Sequence, residues 1–323
     1  MNIGIRDVSG YVPSTVIDND TVARWTGADE QWIVDRTGVH ERRYALTDEN
    51  TSALAASAIQ PLLERAECPV DALVLATSTP DQPQPATAAM VQALLGFERP
   101  VPAFDVNAVC SGFLYALDLG RCLLTTHHDW TAVIVAGADK YSSIMNTRDR
   151  RTVSLFGDGA SAALLTRVPD DRGIRSVSLM ADGNAADLVR VPGGGCRQPT
   201  DGSKGSPTNH FEMDGRAVLE WSLKNLPRVV ESALAEADLS AADIDRVFLH
   251  QGNALMVRRL AEELGVDHSH VALTAPRFGN TASASIPLTM SHDRQYRDFA
   301  PNEKFLLASV GGGMTAGAAV ITW

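Results

Sequence analysis

The chain has 323 residues, enough for two domains or one large α/β unit. Hydrophobic residues make up 45% and charged residues 21%, which excludes wholesale disorder and allows a sizeable core. A formal net charge of −11 with no Lys/Arg run argues against a nucleic-acid binder, though a local basic mouth stays compatible with a phosphate.

In chain order, the spacing predicts a helix from Thr51 to Arg65, a buried strand from Ala72 to Ala76, and a helix from Ala86 to Leu95. A strand from Val101 to Val106 and a helix from Ser111 to Leu124 follow, then strands from Ala132 to Ala136 and Ser161 to Leu165. Beyond a Gly- and Pro-rich loop, Val191 to Pro207, come a helix from Asp214 to Ala237, a strand from Arg246 to Leu249, a helix from Ala254 to Leu264 and a strand from Lys304 to Ala308. Apolar strands alternating with helices indicate an α/β fold with its sheet covered on both faces. Pro227 is expected to kink or split its helix. No sequence repeat relates the two αβ-rich parts. Cys68, Cys110, Cys122 and Cys196 have neither metal-ligand spacing nor the density of a disulfide scaffold. The first residues lack the apolar core of a signal peptide, and no apolar run reaches the ~18 residues of a membrane span, so a cytoplasmic setting is expected.

Four features carry chemistry. Cys110 follows a strand and opens a helical pattern, where unpaired N–H groups and the positive end of the helix favour a thiolate; a small buried core cysteine fits the position equally well. His250 ends the strand Arg246-Val-Phe-Leu and starts the polar run His250-Gln-Gly-Asn253; catalytic groups gather at such strand ends, while a lone loop histidine is more often structural. Asn280, in Gly279-Asn-Thr-Ala-Ser-Ala-Ser-Ile-Pro287, reads alone as a turn or cap residue. Gly311-Gly-Gly313 permits close backbone approach, and an exposed N–H there can hold an oxyanion; a plain tight turn is the simpler reading. His127-His128-Asp129 reads as a solvated loop and Phe156-Gly-Asp-Gly159 as a turn.

Taken together, Trp32-Ile-Val-Asp-Arg-Thr-Gly38, Asp105-Val-Asn-Ala-Val-Cys-Ser-Gly112, Phe156-Gly-Asp-Gly159, His250-Gln-Gly-Asn253, the Gly279–Pro287 run and Gly311-Gly-Gly313 resemble the β-ketoacyl-acyl-carrier-protein synthase III family of the thiolase-like superfamily. The blocks span the chain in the family's order. The resemblance implies a thiolase-like α/β fold of two similar halves, 1–170 and 171–323, each a five-stranded mixed sheet layered with helices (αβαβα), and a homodimer. It implies Cys110, His250 and Asn280 as catalytic residues, with Cys110 acylated by a thioester and the other two stabilising the enolate of a decarboxylating malonyl thioester. The N–H groups of Cys110 and Gly312 would form the oxyanion hole. Trp32, Arg36, Arg150 and Asn253 would contact coenzyme A. Acyl-CoA and malonyl-CoA are the implied substrates, with no metal and no further cofactor.

The pattern also departs from the family. Met314-Thr-Ala-Gly317 lacks the usual Trp, and Gly252 replaces Ala. Positions where fatty-acid members carry basic residues for an acidic carrier protein are Glu220, Leu255, Glu262 and Glu263 here, with Arg258 and Arg259 nearby. A carrier protein is therefore disfavoured as partner, and free malonyl-CoA is expected as extender. The segments Ala76–Pro85, Phe104–Gly112, Val191-Pro-Gly-Gly-Gly and Phe211–Arg216 look closest to acetoacetyl-CoA synthases. Other readings are an acyltransferase acting on a natural-product hydroxyl or amine, a starter ketosynthase of a polyketide pathway, and a non-catalytic subunit, which the intact Cys110, His250 and Asn280 oppose.

Overall fold

A computed structural model describes residues 1–97, 99–199 and 209–323. The first part runs β1 (Asn2–Tyr11), β2 (Thr15–Asp18), α1 (Asn19–Thr26), α2 (Glu30–Thr37), β3 (Glu41–Tyr44), α3 (Thr51–Arg65), β4 (Ala72–Ala76), α4 (Thr87–Leu95), β5 (Ala103–Val106), α5 (Gly112–Thr126), β6 (Ala132–Asp139), α6 (Arg150–Val153) and β7 (Gly159–Val168). The second runs β8 (Gly173–Ala181), β9 (Val189–Arg190), β10 (Glu212–Met213), α7 (Gly215–Glu236), β11 (Arg246–Leu249), α8 (Ala254–Glu263), α9 (Ala275–Phe278), α10 (Ser285–Asp293), β12 (Lys304–Gly311) and β13 (Thr315–Thr322).

Two sheets dominate. One has the order β1-β7-β6-β4-β5 and the other β11-β12-β13-β8. Read from β8, the second repeats the first: two antiparallel pairings, then a parallel one, β12 with β11. Where β5 pairs in parallel with β4, the second sheet has only a single parallel bridge, Val271 to Val247, so its expected fifth strand is reduced to one residue pair. The repeat is invisible in the residues because the sheets share a strand order and not a sequence.

Burial explains the layers. Every residue of β4 and β6 is buried, as strands covered on both faces require. α5 and α10 lie between the sheets; α10 buries Ser285 to Met290 without a break, the signature of a helix with no solvent face. α3 and α4 cover the outside of the first sheet, while α7 and α8 cover the second. α7 runs through Pro227 as one helix, so of the expected kink or split the split does not occur. Its row Ser222, Asn225, Leu226, Val229, Val230, Ala233 and Leu234 is buried on one face, and that packing outweighs the one lost hydrogen bond. Residues 191–199 have no regular structure, in line with the expected loop; its remainder, 200–207, lies outside the described residues.

Candidate active site

Cys110 sits in a single 3-10 turn, Val109–Ser111, between β5 and the first residue of α5. Val109 holds φ at +48°, a left-handed conformation costly for a β-branched residue. Its N–H donates to Asn107 Oδ1 at 3.1 Å, which fixes the turn. Gly311 packs directly on this turn: a Cβ there would stand 2.8 Å from Ala108 O and 2.9 Å from Cys110 N, so only glycine fits. Ser309 Oγ donates to Cys110 O at 3.0 Å and ties the turn to β12.

A second turn has the same construction. Ala282, Ser283 and Ala284 form a 3-10 turn ahead of α10, and Ala282 also holds φ at +48°. Its N–H donates to Asn280 Oδ1 at 2.8 Å. This bond fixes the Asn280 amide with its oxygen engaged, leaving the NH2 group as the free donor. Main-chain bonds on both sides, Asn280 N–H to Leu155 O at 2.8 Å and Gly157 N–H to Asn280 O at 3.0 Å, hold the residue rigidly.

His250 follows β11, and its N–H donates to Ala308 O at 2.8 Å. The imidazole Nδ1 lies 2.8 Å from Ser285 Oγ at the start of α10. Burial pushes the imidazole down to about 4, so it is neutral at pH 7.

Cys110, His250, Asn280 and Gly312 line one cavity of about 1240 Å³, together with Trp32, Arg36, Arg150 and Asn253. Every residue assigned a role by resemblance therefore meets the same space. The apolar end around Cys110 is built from Tyr141, Phe156 and Phe211. Tyr141 and Phe156 stack at 4.4 Å, and Phe211 meets both rings edge-on. At the other end Arg150 lies 4.7 Å over the Trp32 ring. Asn253 caps α8, accepting from Met256 N–H at 2.8 Å, so its oxygen already has a structural partner.

Burial pushes the Cys110 thiol up and buried Asp139 adds to this, which opposes the thiolate-favouring start of α5. Glu220, Glu262 and Glu263 lie off the cavity wall. Glu220 pairs with Arg216 at 2.9 Å and Glu262 with His268 at 3.4 Å, whereas Leu255 and Arg259 do line it. Arg258 does not, because the α8 periodicity turns only one of the two adjacent arginines inward.

Sequence reasoning missed Asp139. It ends β6 fully buried, accepts from Ser78 N–H and Oγ, and from Ser283 N–H at 3.0 Å and Oγ at 2.5 Å. It locks the Asn280 segment to the first half. Its one visible sign was a carboxylate closing an eight-residue apolar strand. Ser285 and the aromatic wall were missed as well. Among the described residues no cluster of three His, Cys, Asp or Glu side chains is placed to hold a metal ion.

Paired mixed sheets with two buried central helices and a cysteine at the start of one of them are the architecture of thiolase-like enzymes that move acyl groups. Residues 104–183 match the 3-oxoacyl-[acyl-carrier-protein (ACP)] synthase III family and residues 234–323 its C-terminal family. The chain is 43% identical to acetoacetyl CoA synthase NphT7 of Streptomyces sp. (strain CL190), over 99% of this chain and 98% of that one. It is 41% identical to a β-ketoacyl-[acyl-carrier-protein] synthase III of Rhodospirillum centenum, again over 99% and 98%. The β-ketoacyl-[acyl-carrier-protein] synthase III structure from Thermus thermophilus superposes with a TM-score of 0.91 at 36% identity, covering 99% of both chains. The chain belongs to the β-ketoacyl-acyl-carrier-protein synthase III family and is a ketosynthase-type transferase.

Proposed function

We propose that this enzyme condenses acetyl-CoA with malonyl-CoA to acetoacetyl-CoA, with Cys110, His250 and Asn280 as its catalytic residues. The observation that carries the reading is the convergence of these three on one cavity, with Asn280 held to donate from its amide nitrogen and His250 held neutral. Cys110 sulfur attacks the acetyl thioester carbonyl, the N–H groups of Cys110 and Gly312 stabilise the oxyanion, and coenzyme A leaves as its thiol with the cysteine proton. Malonyl-CoA then loses carbon dioxide. The electron pair of the broken C–C bond forms a thioester enolate, whose oxygen accepts hydrogen bonds from His250 and Asn280. The enolate carbon attacks the acetyl-Cys110 carbonyl, the new C–C bond forms, and the expelled thiolate takes a proton from solvent.

The aromatic wall of Tyr141, Phe156 and Phe211 beside Cys110 offers an apolar surface to the acyl group. Trp32 and Arg150 offer a flat clamp for an adenine, while Arg36, Arg151 and Arg259 supply positive charge for phosphates on the same wall. The sequence relative named acetoacetyl CoA synthase supports CoA-bound substrates. A second reading, malonyl carrier protein as extender, is favoured by Arg259 at the cavity. The homodimer is likewise a proposal by kinship with the family.

The test is incubation with acetyl-CoA and either malonyl-CoA or a malonylated carrier protein, with mass detection of acyl-enzyme and product. Acetoacetyl-CoA and one acetyl group per chain, at Cys110, are expected. Asn280→Ala should still acetylate but condense about 10²-fold more slowly, as for loss of an oxyanion-type donor. A tenfold carrier preference that disappears with salt would select the second reading. Undiminished condensation in Asn280→Ala would turn the assignment toward simple acyl transfer.

A further inference from the structure

Ser285 is the first residue of α10, buried to 1% exposure, and its hydroxyl lies 2.8 Å from His250 Nδ1. Among the described residues this is the only polar partner of Ser285 Oγ. The helix start is fixed independently, since Thr289 Oγ1 donates to Ser285 O at 2.7 Å and lies 2.6 Å from Thr274 Oγ1. A neutral imidazole carries one proton, on Nδ1 or on Nε2. With the proton on Nδ1, the ring would donate to Ser285 Oγ and the serine hydrogen would be left buried with nothing to accept it. With the proton on Nε2, Ser285 donates to Nδ1 and both groups are satisfied. The Nε2 edge lies beside Gly252, 3.6 Å from where a Cβ there would stand, and both residues line the cavity.

From this geometry we infer that Ser285 is the positioning residue that sets the His250 tautomer, holding the proton on Nε2 where it is donated to the enolate oxygen. The inference rests on the condensing role proposed for His250. It assigns the decarboxylation half of the cycle a dependence on Ser285 that acylation of Cys110 does not share. Burial supports it by keeping the ring neutral, so that the choice of tautomer arises at all.

The experiment has two arms. In the first, nitrogen NMR on protein labelled with 15N-histidine reads the tautomer at pH 7, the His250 signal being identified by its absence in His250→Asn. The wild type should show a protonated Nε2 and a bare Nδ1, and Ser285→Ala a mixture of the two forms. In the second arm, Ser285→Ala should acetylate Cys110 at the wild-type rate yet decarboxylate malonyl-CoA about tenfold more slowly, the scale of one lost neutral hydrogen bond. Ser285→Thr, which keeps the hydroxyl, should restore most of that loss and thereby separates tautomer control from packing. A wild-type ring protonated at Nδ1, or equal decarboxylation by Ser285→Ala, overturns the inference. A wild type with the Nε2 proton that decarboxylates no malonyl thioester overturns the proposed reaction and leaves the tautomer assignment standing.

Discussion

At the scale of single residues, the neutral His250 has a consequence for stability. Its pKa is about 4 in the folded chain against the ordinary 6.5. Between those values the unfolded chain binds a proton here that the folded chain refuses, so stability falls as pH falls through the window. From pH 7 to pH 5 this single site should remove about 2 kcal/mol. His250→Asn does not titrate there. Urea unfolding at the two pH values should therefore show a drop smaller by about that amount in the variant, and identical drops would mean that the ring is not held neutral. The same burial raises the Cys110 thiol, so burial disfavours the charged form of both side chains.

At the scale of elements, the clamp proposed for coenzyme A pairs two short helices. Trp32 lies on α2, eight residues long, and Arg150 opens α6, four residues long. Trp32→Ala or Arg150→Ala should raise KM for acetyl-CoA by about tenfold, the upper range of a desolvated cation–π contact together with lost stacking, and leave KM for a short pantetheine thioester nearly unchanged. Equal effects on both substrates would remove the nucleotide from this end of the cavity. Neither helix was legible beforehand, because elements this short show no full apolar period. α3, α4, α5, α7 and α8 were legible, since each carries a buried face over at least nine residues. β13 escaped notice for another reason: Thr-Ala-Gly-Ala-Ala-Val-Ile-Thr is mostly small residues with weak strand preference, and it pairs because two neighbours flank it. β1 broke its own alternation with a register shift between Ile5 and Asp7. Cys110 could be placed from local sequence alone. The Ser285 contact to His250 and the Asp139 contact to Ser283 join residues 35 and 144 positions apart, and only the tertiary fold creates them.

At the scale of the whole molecule, the two sheets with one strand order and the two turns with one backbone shape belong together. Asn107, Val109 and Cys110 stand ahead of α5 as Asn280, Ala282 and Ser283 stand ahead of α10. Ser283 is thus the counterpart of Cys110, but it is absent from the cavity wall and sealed onto Asp139. In a Cys110→Ala background, Ser283→Cys should take up no acetyl group from acetyl-CoA by mass measurement; labelling at position 283 would mean that the turn suffices to make a nucleophile. The same backbone plan thus appears twice in one polypeptide, in the strand order and in the turn ahead of a buried helix. The two turns differ at their side chains: Cys110 lines the cavity, whereas Ser283 is held on Asp139, and Asn280 of the second turn reaches the same space as Cys110. Symmetry kept in the backbone and broken at the side chains lets one cavity draw its thiol from the first half of the chain and its amide from the second.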